Sequence, residues 1–262
     1  GSGLSLKAEN FEPLSLDLSN IRSEVRSVCE ETVVPWCMGA YFMLSSDSDE
    51  NNWGLDGKTV TGKKSTKTVY SVGIAERSGY LAPLALIDYC GEEVLPNFHQ
   101  ELSVYRGTSQ EIFEAYNYSQ KVNRMLGTQR DLYRLTAADS REMGRSSTIS
   151  LLSGYTDLFQ YIGILKTDNE KKVYTMNAFL QYLLEETQQN KIGDLGLFPV
   201  HASAVPEYGN QYMLQAWEQI KKMPLQCRSL VFEKEYADQT NEKIFAWLKG
   251  GEKPEEVKNL IE

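Results

Sequence analysis

Few residues in this chain are placed to do covalent chemistry. Only two histidines occur, His99 and His201. A serine or cysteine nucleophile ordinarily needs a histidine base that a carboxylate orients. Neither histidine lies in a nucleophile motif, and no G-x-S-x-G elbow is present, so both read as structural or surface residues. The four cysteines, Cys29, Cys37, Cys90 and Cys227, form no C-x-x-C pair, and no H-E-x-x-H run accompanies them. That spacing gives neither a zinc site nor a thioredoxin-type centre. Four cysteines allow three pairings. Cys29 and Cys37 are close enough in sequence to meet, and buried free thiols are the equal alternative. The acidic run from Asp47 to Asn52 lacks the glycine and closing glutamate of a calcium loop. Gly193-x-x-Gly196 is a turn and not a dinucleotide fingerprint. Carboxylates are plentiful, but no two stand out as a glycosidase pair. The run Asp168 to Lys172 reads as a solvated turn, and Glu185-Glu186 as a solvated helix face. No metal and no cofactor is expected.

Aromatic residues carry more information. The chain has 15 Tyr, 9 Phe and 4 Trp, and such rings stack on sugar faces while their polar tips bond at a wet cleft. Trp36, Tyr41, Trp53, Tyr208 and Trp217 fall at loops or element edges and are the candidate ligand-binding residues. Core packing is the competing role, strongest for Trp217 on its helical stripe and weakest for Trp53 in a polar loop. Trp247 reads as packing. The formal charge of -9 and the scatter of Lys and Arg argue against nucleic acid, whose phosphates call for basic patches. No stretch approaches the ~20 apolar residues of a membrane span.

The elements that would position these residues follow from periodicity and breakers. Residues 1–20 read as a polar arm or linker. Residues 21–31 read as a helix with Ile21, Val25 and Val28 on one face, and 38–44 as a buried strand or helix start. Residues 45–67 form a long polar loop or hairpin. A strand is expected over 69–75 and a short helix over 81–90. Thr108 and Glu111 have capping-box spacing and open a helix that carries Ile112, Phe113, Tyr116, Val122 and Leu126. Residues 131–158 read as mainly helical, and 159–165 as a strand. Over 173–190 a strong helix is expected, with Met176, Phe179, Leu180, Leu183 and Leu184 as its apolar stripe. Helices over 210–223 and 240–249, and a last one opened by Pro254, close the chain. Strands interleaved with helices favour α/β layering.

These residues carry a resemblance. Phe179, Tyr182, Leu183, Leu184, Glu185, Gln188, Gly196, Pro199 and Val200 in segment 176–200 are similar to the late helix and G-x-x-P-V turn of extracellular solute-binding proteins of ABC importers. Gly250, Pro254, Glu255, Glu256 and Leu260 resemble that family's closing pattern. A weaker match covers 34–90, where sugar-binding members place an aromatic in the cleft. The likeness spans about half of the chain, which lacks the opening strand of the family's N-terminal lobe.

The resemblance implies an α/β, helix-rich, periplasmic-binding-protein-like fold, complete or only part of the two-lobe architecture. The domain would span 21–262, with lobes 21–130 and 131–262. It implies a non-enzymatic, monomeric protein outside the cell, capturing a sugar or oligosaccharide for a membrane permease. The opening Gly1-Ser2-Gly3 looks like a cloning remnant, so a lipid-anchor segment is expected to have been removed ahead of it. The alternatives are a sensor or interaction ectodomain on the same fold and, behind that, a glycan hydrolase.

Overall fold

A computed structural model describes residues 5–46, 68–71, 102–105, 109–118, 124–139, 146–151, 155–223, 225–227 and 246. Trp53, Cys90, His99, Trp247, the helix expected over 81–90 and the two closing helices lie outside the described residues.

The opening residues are bound to the body of the protein. After a 3-10 helix over Ser5–Asn10, Phe11 is buried and bridges to Leu165. Glu12 N donates to Ile164 O at 2.8 Å and Leu14 N to Glu31 O at 2.8 Å. Leu14, Leu16 and Leu18 pack on the core, an alternation that an extended chain presents to one side. Residues 8–20, read from sequence as a polar arm, thus run along the surface of the core. The helix expected over 21–31 is a single turn, α1 (Ser23–Arg26). It is too short to be stable on propensity alone, and it is held by the burial of Val25.

Segment 33–46 forms two strands, β1 (Val33–Met38) and β2 (Tyr41–Ser46), separated by Gly39 and Ala40. Both are apolar on each face, as strands covered from both sides must be. Pro35 falls inside β1. Proline has no N–H for the ladder, and the pairing of β1 with β8 (Phe159–Gly163) shifts register between Pro35 and Cys37. β1 is the middle strand of an antiparallel sheet of order β8-β1-β9, where β9 is Phe198–Pro199.

β2 belongs to a second, five-stranded sheet of order β4-β3-β5-β2-β6. Its other strands are β3 (Thr68–Ser71), β4 (Leu102–Tyr105), β5 (Arg124–Thr128) and β6 (Ser147–Leu151). β3 runs parallel to β4 and β5, while β2 runs antiparallel to β5 and β6. Against this sheet lie α2 (Ser109–Asn117), α3 (Gln129–Asp139) and α6 (Gln211–Lys222). A short parallel pair joins β7 (Tyr155–Thr156) to β10 (Gln226–Cys227). Each of the two larger sheets takes strands from both sides of residue 130, where the sequence reading places a division between lobes.

Two expectations from the sequence are corrected here. The helix carrying Ile112 and Phe113 ends at Asn117, and Leu126 lies in β5. Residues 131–158 are not mainly helical, because α3 stops at Asp139 and β6 and β7 follow. β6 alternates buried and more exposed residues through Ser147, Thr148, Ile149, Ser150 and Leu151, the two-residue period of a strand. Its free edge is capped from the side. Gln219 on α6 accepts from Leu151 N at 2.6 Å and donates to Ile149 O at 3.2 Å, which satisfies the backbone groups that an edge strand leaves open.

The helix expected over 173–190 begins earlier, at Glu170, because Asn169 caps it by accepting from Lys172 N at 3.1 Å. It breaks at Glu185 into α4 (Glu170–Leu184) and α5 (Glu186–Asn190). Of its apolar stripe, Leu180 and Leu184 are buried, while Met176 and Phe179 stay exposed.

Candidate functional site

The chain leaves the three-stranded sheet for the five-stranded one at Gly39-Ala40, from β1 to β2, and enters the three-stranded sheet from the short β7–β10 pair at Asp157-Leu158, from β7 to β8. The two connections lie side by side. Gly39 N donates to Leu158 O at 2.6 Å. Thr156 Oγ1 donates to Gly39 O at 2.8 Å and accepts from Leu158 N at 3.2 Å. Ala40 N donates to Gln129 Oε1 at 3.3 Å. A Cβ at residue 39 would meet the end of that same Gln129 side chain, so a larger residue there must move Gln129 off the Ala40 N–H.

Tyr41 and Asp157 close the junction. Tyr41 is buried, and its hydroxyl donates to Asp157 Oδ1 at 2.7 Å. Burial pushes the Asp157 carboxyl up to about 7, against the smaller opposing effects of the Tyr41 hydrogen bond and of its own backbone N–H.

A second cluster forms around Phe198 on β9. Its ring stacks on Trp217 at 5.9 Å and 14°, and meets Tyr208 at 5.9 Å and Phe42 at 6.2 Å in tilted contacts. The Arg22 guanidinium lies 5.6 Å from the centre of the Trp217 ring, a cation–π distance. Trp217 is buried to 3% exposure. Tyr208 is half-buried, and its hydroxyl donates to Leu197 O at 2.9 Å. Trp36 is half-buried against the core. Of the five aromatic candidates, the structure gathers Tyr208 and Trp217 on one phenylalanine, sets Tyr41 at the crossover, and leaves Trp36 on β1.

Sequence reasoning missed the residue that ties these strands together. Gln189 is fully buried, and its amide donates to Trp36 O and Leu183 O, both at 2.9 Å. Its Oε1 accepts from Val200 N at 2.8 Å and His201 N at 3.4 Å. The only signal was a glutamine next to Gln188 in the solute-binding-like segment. Beyond it, Gly196 adopts φ 66, the left-handed conformation that makes a turn there. His201 is buried, bridges to Ile21, and accepts from Ser203 N through Nδ1 at 3.2 Å, a structural bond.

One open groove of about 790 Å³ is lined by Glu12, Ser15, Asp168, Glu170, Tyr174 and Asn177 among others. It lies between the opening segment and α4, beyond the end of β8 that leads away from the crossover. Its amides are already engaged, since Asn177 accepts from Ser15 N and Gln181 from Asp17 N, both at 2.8 Å. Among the described residues, no three His, Cys, Asp or Glu side chains gather as a metal site, and no helix is long and apolar enough to cross a membrane.

No protein-family model and no curated protein matches the chain by sequence. Solved structures do match. The chain is similar to UgpB from Mycobacterium tuberculosis, solved with glycerophosphocholine, at a TM-score of 0.64 and 10% identity over 99% of this chain and 78% of that one. It is similar to the GacH receptor of Streptomyces glaucescens, solved unliganded and with acarbose, at 0.62 and 13% over 98% and 78%. A two-component system protein that mediates signal transduction matches at 0.53 and 15% over 86% and 74%. The chain therefore has the α/β fold of periplasmic binding proteins. The resemblance read from half of the sequence extends, as a fold, over nearly all of it.

Proposed function

We propose that this protein captures a small solute outside the cell and delivers it to an ABC importer, and that the solute is a sugar or oligosaccharide. The supporting observation is the pair of adjacent connections that lead out of and into the three-stranded sheet, in a fold shared with solute receptors. Two adjacent connections of this kind are where a hinge would act, since a few residues at element ends can absorb a closing motion. Three features support a neutral, polar ligand: the acidic balance of the chain, its many aromatics, and an acarbose receptor among the similar structures. Trp36 and Tyr208 would meet the ligand from their half-buried positions, with Tyr41 and Trp217 packed behind them. The partner would be a membrane permease, and the protein a monomer held at the cell surface by a membrane anchor. No bond is made or broken in this role.

A ligand bound at 100 times its Kd stabilises the folded state by about 2.7 kcal/mol. Thermal unfolding in the presence of mono- and oligosaccharides, with amino acids, choline phosphodiesters and thiamin as the comparison set, should show a rise of several degrees for one saccharide class. A rise only with a non-carbohydrate would overturn the sugar assignment, and no rise with any solute would overturn capture itself. In that last case the signal-transduction protein among the similar structures supports a second reading, a sensor ectodomain whose fold is kept for protein contacts.

A further inference from the structure

Two cysteines far apart in sequence lie on or beside segments that meet, and both are free thiols in this structure. Cys29 follows α1, and its thiol donates to Val25 O at 3.6 Å. Cys227 ends β10, and β10 lies against α1. Both side chains are half-buried and pack on the same core cluster. A charge on Cys227 would feel Glu24, Arg22 and Cys29, all from the α1 region. Cys37 is differently placed. It is fully buried in β1, where its backbone partners are Gln160 and Pro199.

We infer that Cys29 and Cys227 form a disulfide bond that fastens α1 to β10. The pairing favoured by sequence distance alone, Cys29 with Cys37, has no such support. The bond would close a loop containing both crossovers, and β10 pairs with β7 beside Thr156, the residue that holds Gly39.

The chemistry balances by thiol–disulfide exchange. One protein thiolate attacks glutathione disulfide and releases a glutathione thiolate. The second protein thiolate attacks the mixed disulfide and releases another. Two protein thiols lose two protons and two electrons, and one glutathione disulfide becomes two glutathiones. Burial raises the Cys29 thiol to about 11 and the Cys227 thiol to about 12. The attacking thiolate is therefore scarce once the protein has folded, and the bond closes during folding. An oxidising compartment is what the proposed extracellular role provides, but the test below involves no ligand and stands apart from that role.

The full chain is unfolded with reductant, refolded in a reduced and oxidised glutathione buffer, alkylated, and mapped by peptide mass spectrometry. A linked Cys29–Cys227 peptide in most of the monomer is the expected result. Free thiols throughout, glutathione adducts only, or a link through Cys37 or Cys90 would overturn the assignment. The same map made on protein alkylated directly from an oxidising secretory compartment gives the answer without refolding. Oxidised protein should melt about 5 °C or more above reduced protein. Cys29→Ser and Cys227→Ser should each abolish that gap, and Cys37→Ala should keep it.

Discussion

At the crossover, Tyr41 bonds Asp157, Thr156 bonds Gly39, and a methyl group on Gly39 would meet the end of Gln129. Along α4, by contrast, Tyr174 is 78% exposed and Phe179 49%, large rings where solvent could take almost any side chain. One region is specified by hydrogen bonds at fixed distances. The other is anchored by Leu180 and Leu184 and by two amides that grip the opening segment. The crossover should therefore be intolerant of small changes, and the outer face of α4 tolerant of large ones.

The largest expected effect is that of Gly39→Val. The new side chain must displace Gln129, which strands the Ala40 N–H. Overpacking together with a lost partner should cost about 3 kcal/mol, read from urea unfolding. A cost below 1 kcal/mol would mean that the junction is loose.

Asp157→Asn sharpens the comparison through pH. The folded Asp157 carboxyl sits near 7 against an ordinary 3.8, so the folded state holds its proton more tightly than the unfolded chain does. The stability this gives is present below about pH 4 and is lost as pH rises through 7. The wild type should therefore lose on the order of 1–2 kcal/mol relative to Asp157→Asn between those limits, discounted because the residue as a whole is only half-buried. Parallel pH–stability curves for the two proteins would remove the buried carboxyl from the account.

The smallest effect belongs to Phe179→Ser, expected to change stability by no more than about 0.5 kcal/mol in the same urea titration. A loss of 2 kcal/mol would show that this face is covered in solution.

The same contrast explains what could be read from sequence. Helix periodicity located α4 and α6, and Met213, Trp217 and Ile220 are buried on α6 as their spacing required. Periodicity did not say that Phe179 would point outward, because the stripe is wider than the surface available to receive it. β6 was hidden because serine and threonine fill its alternate positions, so its apolar pattern rests on Ile149 and Leu151 alone. The Asn169 cap was present as a residue type but was read as part of a charged turn. Apart from the Gln189–Leu183 bond, the Gln189 and Tyr41–Asp157 bonds join positions 11 to 153 residues apart, and no local pattern encodes such partners.

β1 is the middle strand of its sheet, yet both its neighbours are encoded much later, at Phe159–Gly163 and Phe198–Pro199. A chain leaving the ribosome presents Val33, Val34 and Met38 long before Phe159 exists to pair with them. Unpaired apolar strands of this kind are where nascent chains associate wrongly. The order of synthesis therefore leaves β1 exposed on both edges until β8, and on one edge until β9, has been made.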